Sequence, residues 1–189
     1  MNQKEIRAEL EGMRINAFNN NKLIPSNKID LGSSRLNLLY QELHQLVLFG
    51  FGNASIVMCG VFLEALLKEI LFIKGHYDYK RKMDFYLAIK ECKQYLLKKQ
   101  YDDLHYIRTI IRNPYQHHNL KQLFGEINFK GVKVNKLGVS PVKDISSNEL
   151  RPLETIAKLR CDAETFIPLF RYCHYTAKKH SKRYLINKK

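Results

Sequence analysis

The sequence predicts an all-α fold, a helical bundle interrupted by one short β insertion. Over most of the chain, apolar residues recur every three or four positions, which is the spacing of an amphipathic helix. The segment near 125–136 departs from this period, because β-branched and polar residues alternate there and predict a short β-hairpin or flap. With 189 residues, 45% of them hydrophobic, the chain has the length and composition of a single folded domain.

The first two predicted helices are separated by a loop. Residues 3–18 place apolar side chains at roughly helical intervals between charges, at Ile6, Leu10, Met13 and Phe18. Three consecutive asparagines and a proline then break the pattern. The second helix is predicted to begin near Asp30 or Ser33 and to run to about Phe49, with a leucine-rich face.

The third predicted helix, about 54–74, is apolar on nearly every side. A helix of this kind must be covered by neighbours all round, so we expect it to be the buried central element. Asn53 is a suitable N-cap residue, and Gly75 occupies the position favoured for ending a helix.

The remaining helices are predicted from apolar spacing and end signals. A fourth covers about 83–99, and a fifth opens with Asp102 and Asp103, since acids suit a helix N-terminus. Ser146 and Glu149 form a capping box for the last helix. The single domain then divides into an N-terminal helix and loop (1–28), core helices (30–118), an insertion (119–147), the last helix (148–180) and a basic tail (181–189).

The charge balance predicts a polyanionic partner. Thirty-two Lys and Arg face 18 Asp and Glu, which gives a formal charge of +14. Such a field attracts RNA, DNA, acidic membrane surfaces or an acidic protein inhibitor, and charge alone does not choose among them. The alternative is a basic protein whose lysines are merely solvated.

The cysteines and the apolar runs narrow the class of protein. The four cysteines, at 59, 92, 161 and 173, are widely spaced, and no Cys/His cluster has zinc spacing. We therefore expect buried, reduced thiols in a soluble cytoplasmic protein that needs no metal or cofactor. The longest apolar run, Ala54–Leu63, is too short to span a bilayer, and no Gly-rich phosphate loop or nucleophile elbow is present.

The most informative stretch is residues 112–117, with the sequence Arg-Asn-Pro-Tyr-Gln-His. Arg stays protonated and offers a fork of donors suited to phosphate oxygens. A neutral His accepts and returns a proton near pH 7. Arg112 and His117 are therefore a minimal set for cutting a phosphodiester without a metal. The structural alternative is an arginine that binds the last carbonyls of its helix, followed by a solvated loop.

The spacing of the two residues poses a geometric problem. On an unbroken α-helix, five residues turn through about 500°, which leaves Arg112 and His117 about 140° apart. Pro114 provides one solution, because it biases Asn113 away from helical geometry and lets a helix end near Arg112 and restart. A two-fold dimer provides another, since it brings in a second copy of each group.

In spacing and composition, residues 112–117 resemble the Arg-polar-x-x-x-His signature of the HEPN superfamily, whose best-known members are metal-independent ribonucleases. The resemblance implies a HEPN-like helical bundle, a homodimer with a composite site, and a toxin or phage-defence effector with a possible antitoxin partner. It further implies that His117 acts as general acid or base, that Arg112 stabilises the transition state, and that Asn113 positions the phosphate. Pro114 departs from the usual pattern, and His118 competes with His117.

The third helix adds to this resemblance. Residues 60–68 are similar to a glycine-to-Glu-to-Lys pattern common in the equivalent helix of many HEPN domains. One reading makes Glu64 a partner of Lys68 in a helix-surface ion pair. The other turns Glu64 toward the core, where it orients Arg112 through a carboxylate–guanidinium pair.

Candidate RNA-binding cations lie in the insertion and near the C-terminus: Lys130, Lys133, Lys178, Lys179, Lys182 and Arg183. The alternative is that the lysines of the insertion are solvated surface charges and that the C-terminal cations belong to a frayed, solvated terminus. Tyrosines at 77, 79, 86 and 95 are candidates to stack bases, although core and rim positions are more common at such spacings. If a covalent modification near the motif silences the site, Tyr115 carries the nearest hydroxyl group. The alternative function is a non-catalytic HEPN-like module that binds nucleic acid, a nucleotide or a protein.

Overall fold

The computed structural model describes residues 2–116, 132–135, 138–141 and 163–186, and these are mostly helical, in agreement with the predicted all-α class. The first half contains α1 (Gln3–Asn21), α2 (Ser34–Leu48), α3 (Gly52–Ile73), α4 (Phe85–Glu91) and a 3-10 turn (Cys92–Tyr95). Next come α5 (Lys98–Tyr106), a π-helical segment (Ile107–Arg112) and α6 (Asn113–Gln116). The described C-terminal part is α7 (Ala163–His180), which continues into a second π-helical segment (Ser181–Ile186).

Helix α3 lies at the centre of the bundle, as its all-round apolar sequence predicts. It packs against α2, α4, α7 and the first π-helical segment. Twelve of its residues are buried, from Gly52 to Leu71. The helix ends at Gly75 as predicted, since this residue adopts a left-handed φ of 72°. There the His76 amide donates to the Leu71 carbonyl at 2.9 Å.

The predicted N-cap of α3 is wrong. The cap position belongs to Phe51, which makes no side-chain capping bond, and Asn53 lies inside the first turn. Gly50, with a φ of 80°, completes the preceding turn early enough for the Phe51 carbonyl to accept from the Ser55 amide at 2.8 Å. The chain is therefore already helical when it reaches Asn53.

The end of α1 is fastened to the end of α2. The side-chain amide of Asn20 donates to the carbonyls of Val47 and Leu48 at 2.9 and 3.2 Å. Ser33 caps α2, which decides between the two starting points that the sequence allows. By contrast, the periodic apolar side chains of α1 remain exposed, since Leu10 and Phe18 are 59% and 64% accessible.

Helix α4 is shorter than the predicted 83–99. The Asp84 carboxylate caps it by accepting from the Leu87 amide at 2.8 Å, and the 3-10 turn follows. Leu96 then adopts an extended conformation with ψ 147°, which separates this unit from the next helix. Helix α5 begins at Lys98, ahead of the predicted start at Asp102.

Two described strands lie between the helical parts of the chain. Val132–Asn135 pairs antiparallel with Gly138–Pro141, and Val134 faces Val139 in the register. The hairpin or flap predicted near 125–136 includes residues 125–131, which lie outside the described part. The capping box predicted at Ser146 and Glu149 lies outside it as well.

The C-terminal stretch is not a frayed tail over residues 181–186. Tyr184 is only 7% exposed, its ring stacks on His180 at 5.8 Å, and its hydroxyl donates to the Tyr95 carbonyl at 3.2 Å. Because this ring is anchored, the backbone continues helically past His180. The reading of these residues as a solvated terminus is therefore wrong.

The core contains the expected reduced thiols as far as it is described. Cys59, Cys92 and Cys173 are buried and free, while Cys161 lies outside the described residues. Burial raises the pKa of the Cys92 thiol to about 12, which keeps it protonated at neutral pH. Among the described helices, none combines the length and apolar content needed to cross a membrane.

Candidate functional site around Arg112

A π-helical segment precedes the motif. Its closing hydrogen bond runs from the Asn113 amide to the Arg108 carbonyl, one residue further back than in an α-helix. Ile107 is 5% exposed, and Ile111 also packs against the core and lines the same groove beside α7. Arg112, the next residue, lies against Gly60 of α3.

The chain remains helical through Pro114, so the predicted break between Arg112 and Pro114 is wrong. Asn113 has φ −62° and ψ −43°, which are helical values in spite of the following proline. Pro114 is the second residue of α6, which continues directly from the π-helical segment.

The Arg112 side chain lies directly on α3 at Gly60. A Cβ atom at position 60 would stand 2.5 Å from Arg112 Cγ and 3.0 Å from both Cδ and Nε. Only a residue without a side chain leaves this space open. The guanidinium carbon also lies 5.9 Å from the centre of the Phe85 ring, within the range of a cation–π contact.

A carboxylate joins Arg112 to a second cation. Glu64 Oε2 lies 3.8 Å from Arg112 Nη2, and Glu64 Oε1 accepts from Lys68 Nζ at 2.6 Å. Glu64 therefore makes both of the contacts that the sequence offered as alternatives, the ion pair with Lys68 and the approach to Arg112. The three side chains are 14% exposed for Arg112, 19% for Glu64 and 13% for Lys68. Two cations share one carboxylate, which leaves a net positive charge with little water around it.

The Arg112 guanidinium retains donors for a ligand. Its Nη1 donates to the Asn113 side-chain oxygen at a long 3.5 Å. Its Nε is buried and makes no hydrogen bond to any residue that the structure describes. Because Nε is packed against α3, the terminal nitrogens Nη1 and Nη2 are the donors left to contact phosphate oxygens.

The other predicted site residues are located less completely. His117, His118 and Lys130 lie outside the described residues, Tyr115 lies in α6 and Lys133 in the strand Val132–Asn135. The four C-terminal cations are exposed, on the end of α7 and the π-helical segment after it: Lys178, Lys179, Lys182 and Arg183. Within the described part of the chain, no hydrogen bond or ion pair connects them to Arg112.

Arg108 is a neighbour of the site that the sequence reasoning missed. Its guanidinium carbon lies 5.0 Å from the centre of the Tyr86 ring, and that ring also meets His105 edge-on at 5.9 Å. Burial, together with the Arg108 charge, lowers the pKa of His105. The signal was present in the sequence, because Arg108 precedes Arg112 by four residues on a predicted helix.

A metal centre is not evident in the described part of the chain, where no group of three or more His, Cys, Asp or Glu side chains is arranged to hold an ion. Comparison of the chain with protein-family models, with curated proteins and with solved structures gave no match.

Proposed function

We propose that the protein is a HEPN-type endoribonuclease that cuts RNA without a metal at a site containing Arg112 and His117. The observation that carries the proposal is the placement of Arg112. Its side chain rests on Gly60 and faces Glu64, yet neither of its terminal nitrogens makes a hydrogen bond shorter than 3.5 Å to a described residue. The formal charge of +14 supports RNA as the partner, because it draws a polyanion toward such a site.

The proposed reaction is an internal transesterification. The ribose 2′-hydroxyl loses its proton to His117 and attacks the adjacent phosphorus, so that an O2′–P bond forms. The P–O5′ bond breaks, and the departing oxygen takes a proton from an imidazolium. Arg112 stabilises the additional negative charge on the phosphate oxygens, and Asn113 helps to position them. The products are a 2′,3′-cyclic phosphate and a 5′-hydroxyl.

The proposal includes a homodimer with the motif at its two-fold interface. One Arg and one His are few groups for two proton transfers and charge neutralisation, whereas two-fold symmetry doubles them without new sequence. The cationic motifs repel each other across an empty interface, and bound RNA relieves that repulsion. In this proposal the chain acts as a toxin or phage-defence effector, which an antitoxin or a modification at Tyr115 restrains.

The deciding experiment incubates purified protein with RNA in the presence of EDTA. Wild type is expected to release 2′,3′-cyclic phosphate ends, and Arg112→Ala is expected to lower the rate by on the order of 100-fold or more. His117→Ala is expected to do the same. Arg14→Ala is the matched control, since Arg14 is a 75% exposed arginine on α1. DNA should bind without being cut, because it lacks the attacking hydroxyl.

Two results would contradict the nuclease proposal: no cleavage by wild type, or equal cleavage by wild type and both motif variants. A second candidate function, a non-catalytic binding module, is favoured by the burial of Arg112. An arginine that is 14% exposed and already engaged by Glu64 also fits a purely structural role. This candidate predicts salt-sensitive binding of RNA and DNA alike, with no product.

A further inference from the structure

A cavity lined by cations lies beside Lys68, the lysine that pairs with Glu64. It has a volume of about 550 Å³ and is formed by the loop that connects α3 to α4, with Lys68 at its α3 side. Its charged and aromatic lining consists of Lys68, Tyr77, Tyr79, Lys80, Arg81, Lys82 and one acid, Asp84. A cavity of this size is large enough for a small ligand or one unit of a polymer.

Two of its cations are available to an anion. Arg81 is engaged by Glu91 in a bidentate pair at 2.6 and 3.1 Å, and Lys68 is engaged by Glu64. Lys80 and Lys82 are exposed and form no ion pair with any described residue. The cavity therefore carries uncompensated positive charge at two positions of one loop, on either side of Arg81.

Asp84, the acid that lines the cavity, forms no ion pair with Lys80 or Lys82. The Asp84 carboxylate accepts from the Leu87 amide at 2.8 Å as the cap of α4. Asp78, on the same loop, accepts from the backbone amide of Lys80 at 3.0 Å. Both carboxylates hold the loop in shape, and the two ammonium groups remain directed to solvent or ligand.

The remaining wall is aromatic and apolar. Tyr77 is 9% exposed and meets the half-open Tyr79 ring edge-on at 5.4 Å. Burial and the Glu69 carboxylate, which accepts from the Tyr79 hydroxyl, raise the pKa of Tyr79 to about 12. The Tyr79 ring therefore stays neutral, and it remains 43% exposed although Phe72 packs on it at 4.6 Å and the Arg35 guanidinium lies 5.6 Å from its centre. Aromatic rings beside lysines are the combination that binds a base together with its phosphate.

The cavity is connected to the Arg112 site along one face of α3. Gly60, Glu64 and Lys68 succeed each other at four-residue intervals, so the two ends of this row are about 12 Å apart along the helix. Glu64 contacts Arg112 at one end and Lys68 at the other. Lys68 therefore links the cavity that it lines to the Glu64 carboxylate that contacts Arg112.

We propose that this cavity binds one nucleotide of the RNA strand, with its phosphate at Lys80 and Lys82 and its base against Tyr79. The proposal rests on the proposed function, because the same strand would place its scissile phosphate at Arg112. The cavity then fixes which phosphate reaches Arg112, and it acts on binding, not on the chemical step.

The first test measures the affinity of wild type for a labelled 2′-O-methyl RNA hexamer, which lacks the attacking hydroxyl and stays intact. Lys80→Ala with Lys82→Ala is expected to weaken binding about fivefold at 0.1 M salt and to reduce the salt slope by about 0.7, the effect of one neutralised phosphate. Lys4→Ala with Arg7→Ala removes two exposed cations from α1 as the matched control. An equal loss of affinity in both double variants would overturn the proposal.

The second test asks whether the Tyr79 ring or the Tyr79 hydroxyl contributes to binding. It also asks whether the cavity prefers an RNA strand to a free nucleotide. Tyr79→Leu is expected to weaken hexamer binding severalfold, whereas Tyr79→Phe keeps the ring and should retain it. A 5′-mononucleotide is expected to bind far more weakly than the hexamer. Equal affinity for both ligands would identify a free-nucleotide site and contradict the strand proposal, as would equal binding by Tyr79→Leu and wild type.

Cleavage kinetics keep this proposal distinguishable from the nuclease proposal. The double variant of Lys80 and Lys82 should raise KM and leave kcat unchanged, while Arg112→Ala should lower kcat. If wild type cuts RNA and the double variant has an unchanged KM, the cavity proposal fails alone. If wild type does not cut RNA, the nuclease proposal fails, and the hexamer affinities still decide the cavity.

Discussion

The stem of Arg112 lies on the bare backbone of α3 at Gly60, close enough that a Cβ atom there would stand 2.5 Å from Arg112 Cγ. This contact, with Glu64 one turn further along α3, holds the guanidinium in a single orientation. The position of the motif arginine thus depends on a glycine fifty-two residues earlier in the chain.

Gly60→Ala should displace Arg112 and lower RNA cleavage by on the order of 100-fold, the cost of about 1 Å of misplacement at a reacting centre. Gly12→Ala on α1 is the matched control, since nothing lies within 4 Å of a Cβ atom at that position. It should raise the free energy of unfolding by about 0.5–1 kcal/mol and leave cleavage unchanged. Urea unfolding and cleavage rates measure both effects, and wild-type activity in Gly60→Ala would contradict the proposed contact.

Glu64→Gln should destabilise the fold, because two partly buried cations would lose the carboxylate that they share. We expect the free energy of unfolding to fall by about 1–3 kcal/mol. Glu11→Gln provides the comparison, since the Glu11–Arg14 pair is exposed and its loss should leave the urea midpoint nearly unchanged. Equal midpoints for Glu64→Gln and wild type would show that the cluster contributes little.

Mixing two inactive variants tests the composite site. If the two protomers pool their motifs in one interface site, a heterodimer of Arg112→Ala with His117→Ala still brings one Arg112 and one His117 to that site. Random exchange of subunits puts half of the dimers in this form, so the mixture should cleave faster than either variant alone. Light scattering at several concentrations reports the assembly itself. A strict monomer with full cleavage activity would refute the dimer.

Acid should destabilise the protein between about pH 6.5 and 4. Burial, with Lys179 and Arg183 nearby, lowers the pKa of His180 from 6.5 to about 4. The unfolded chain therefore binds this proton at higher pH than the folded one. Stability is fully present above pH 6.5 and is lost as the pH falls through 4, by about 3 kcal/mol for this group.

Thermal unfolding across that pH range measures the effect. His180→Phe keeps a ring against Tyr184 and removes the titrating group, so its unfolding temperature should depend less steeply on pH than that of wild type. Burial also lowers the pKa of His44 and His174, so part of the slope should remain in the variant. An unchanged slope in His180→Phe would rule out His180 as a contributor.

Tyr184→Ala should lower the free energy of unfolding by about 3 kcal/mol, because it removes a buried ring from the end of the chain. Lys182→Ala and Arg183→Ala change exposed neighbours and should leave the unfolding midpoint close to that of wild type. Urea unfolding of the three variants checks the comparison. A midpoint for Tyr184→Ala equal to that of wild type would mean that the C-terminal stretch does not contribute to the fold.

Residue type and spacing alone predicted the helical class, the central place of α3 and the end of that helix at Gly75. These features follow from local chemistry, since apolar periodicity and a left-handed glycine act over a few residues. The charge balance and the motif at 112–117 were also evident from the sequence alone. Glu64 was selected as a candidate partner of Arg112, although the sequence left its competing partner Lys68 open.

Only the tertiary structure decided where Arg112 points. The predicted period assumes a uniform α-helix, whereas the segment before Asn113 closes with a π-type hydrogen bond. Arg112 packs on α3 because Gly60 leaves room there, a contact between distant parts of the chain. The anchoring of Tyr184 on Tyr95 and the cavity beside Lys68 are long-range in the same way. Local spacing predicts elements, whereas packing between elements determines which side chains meet.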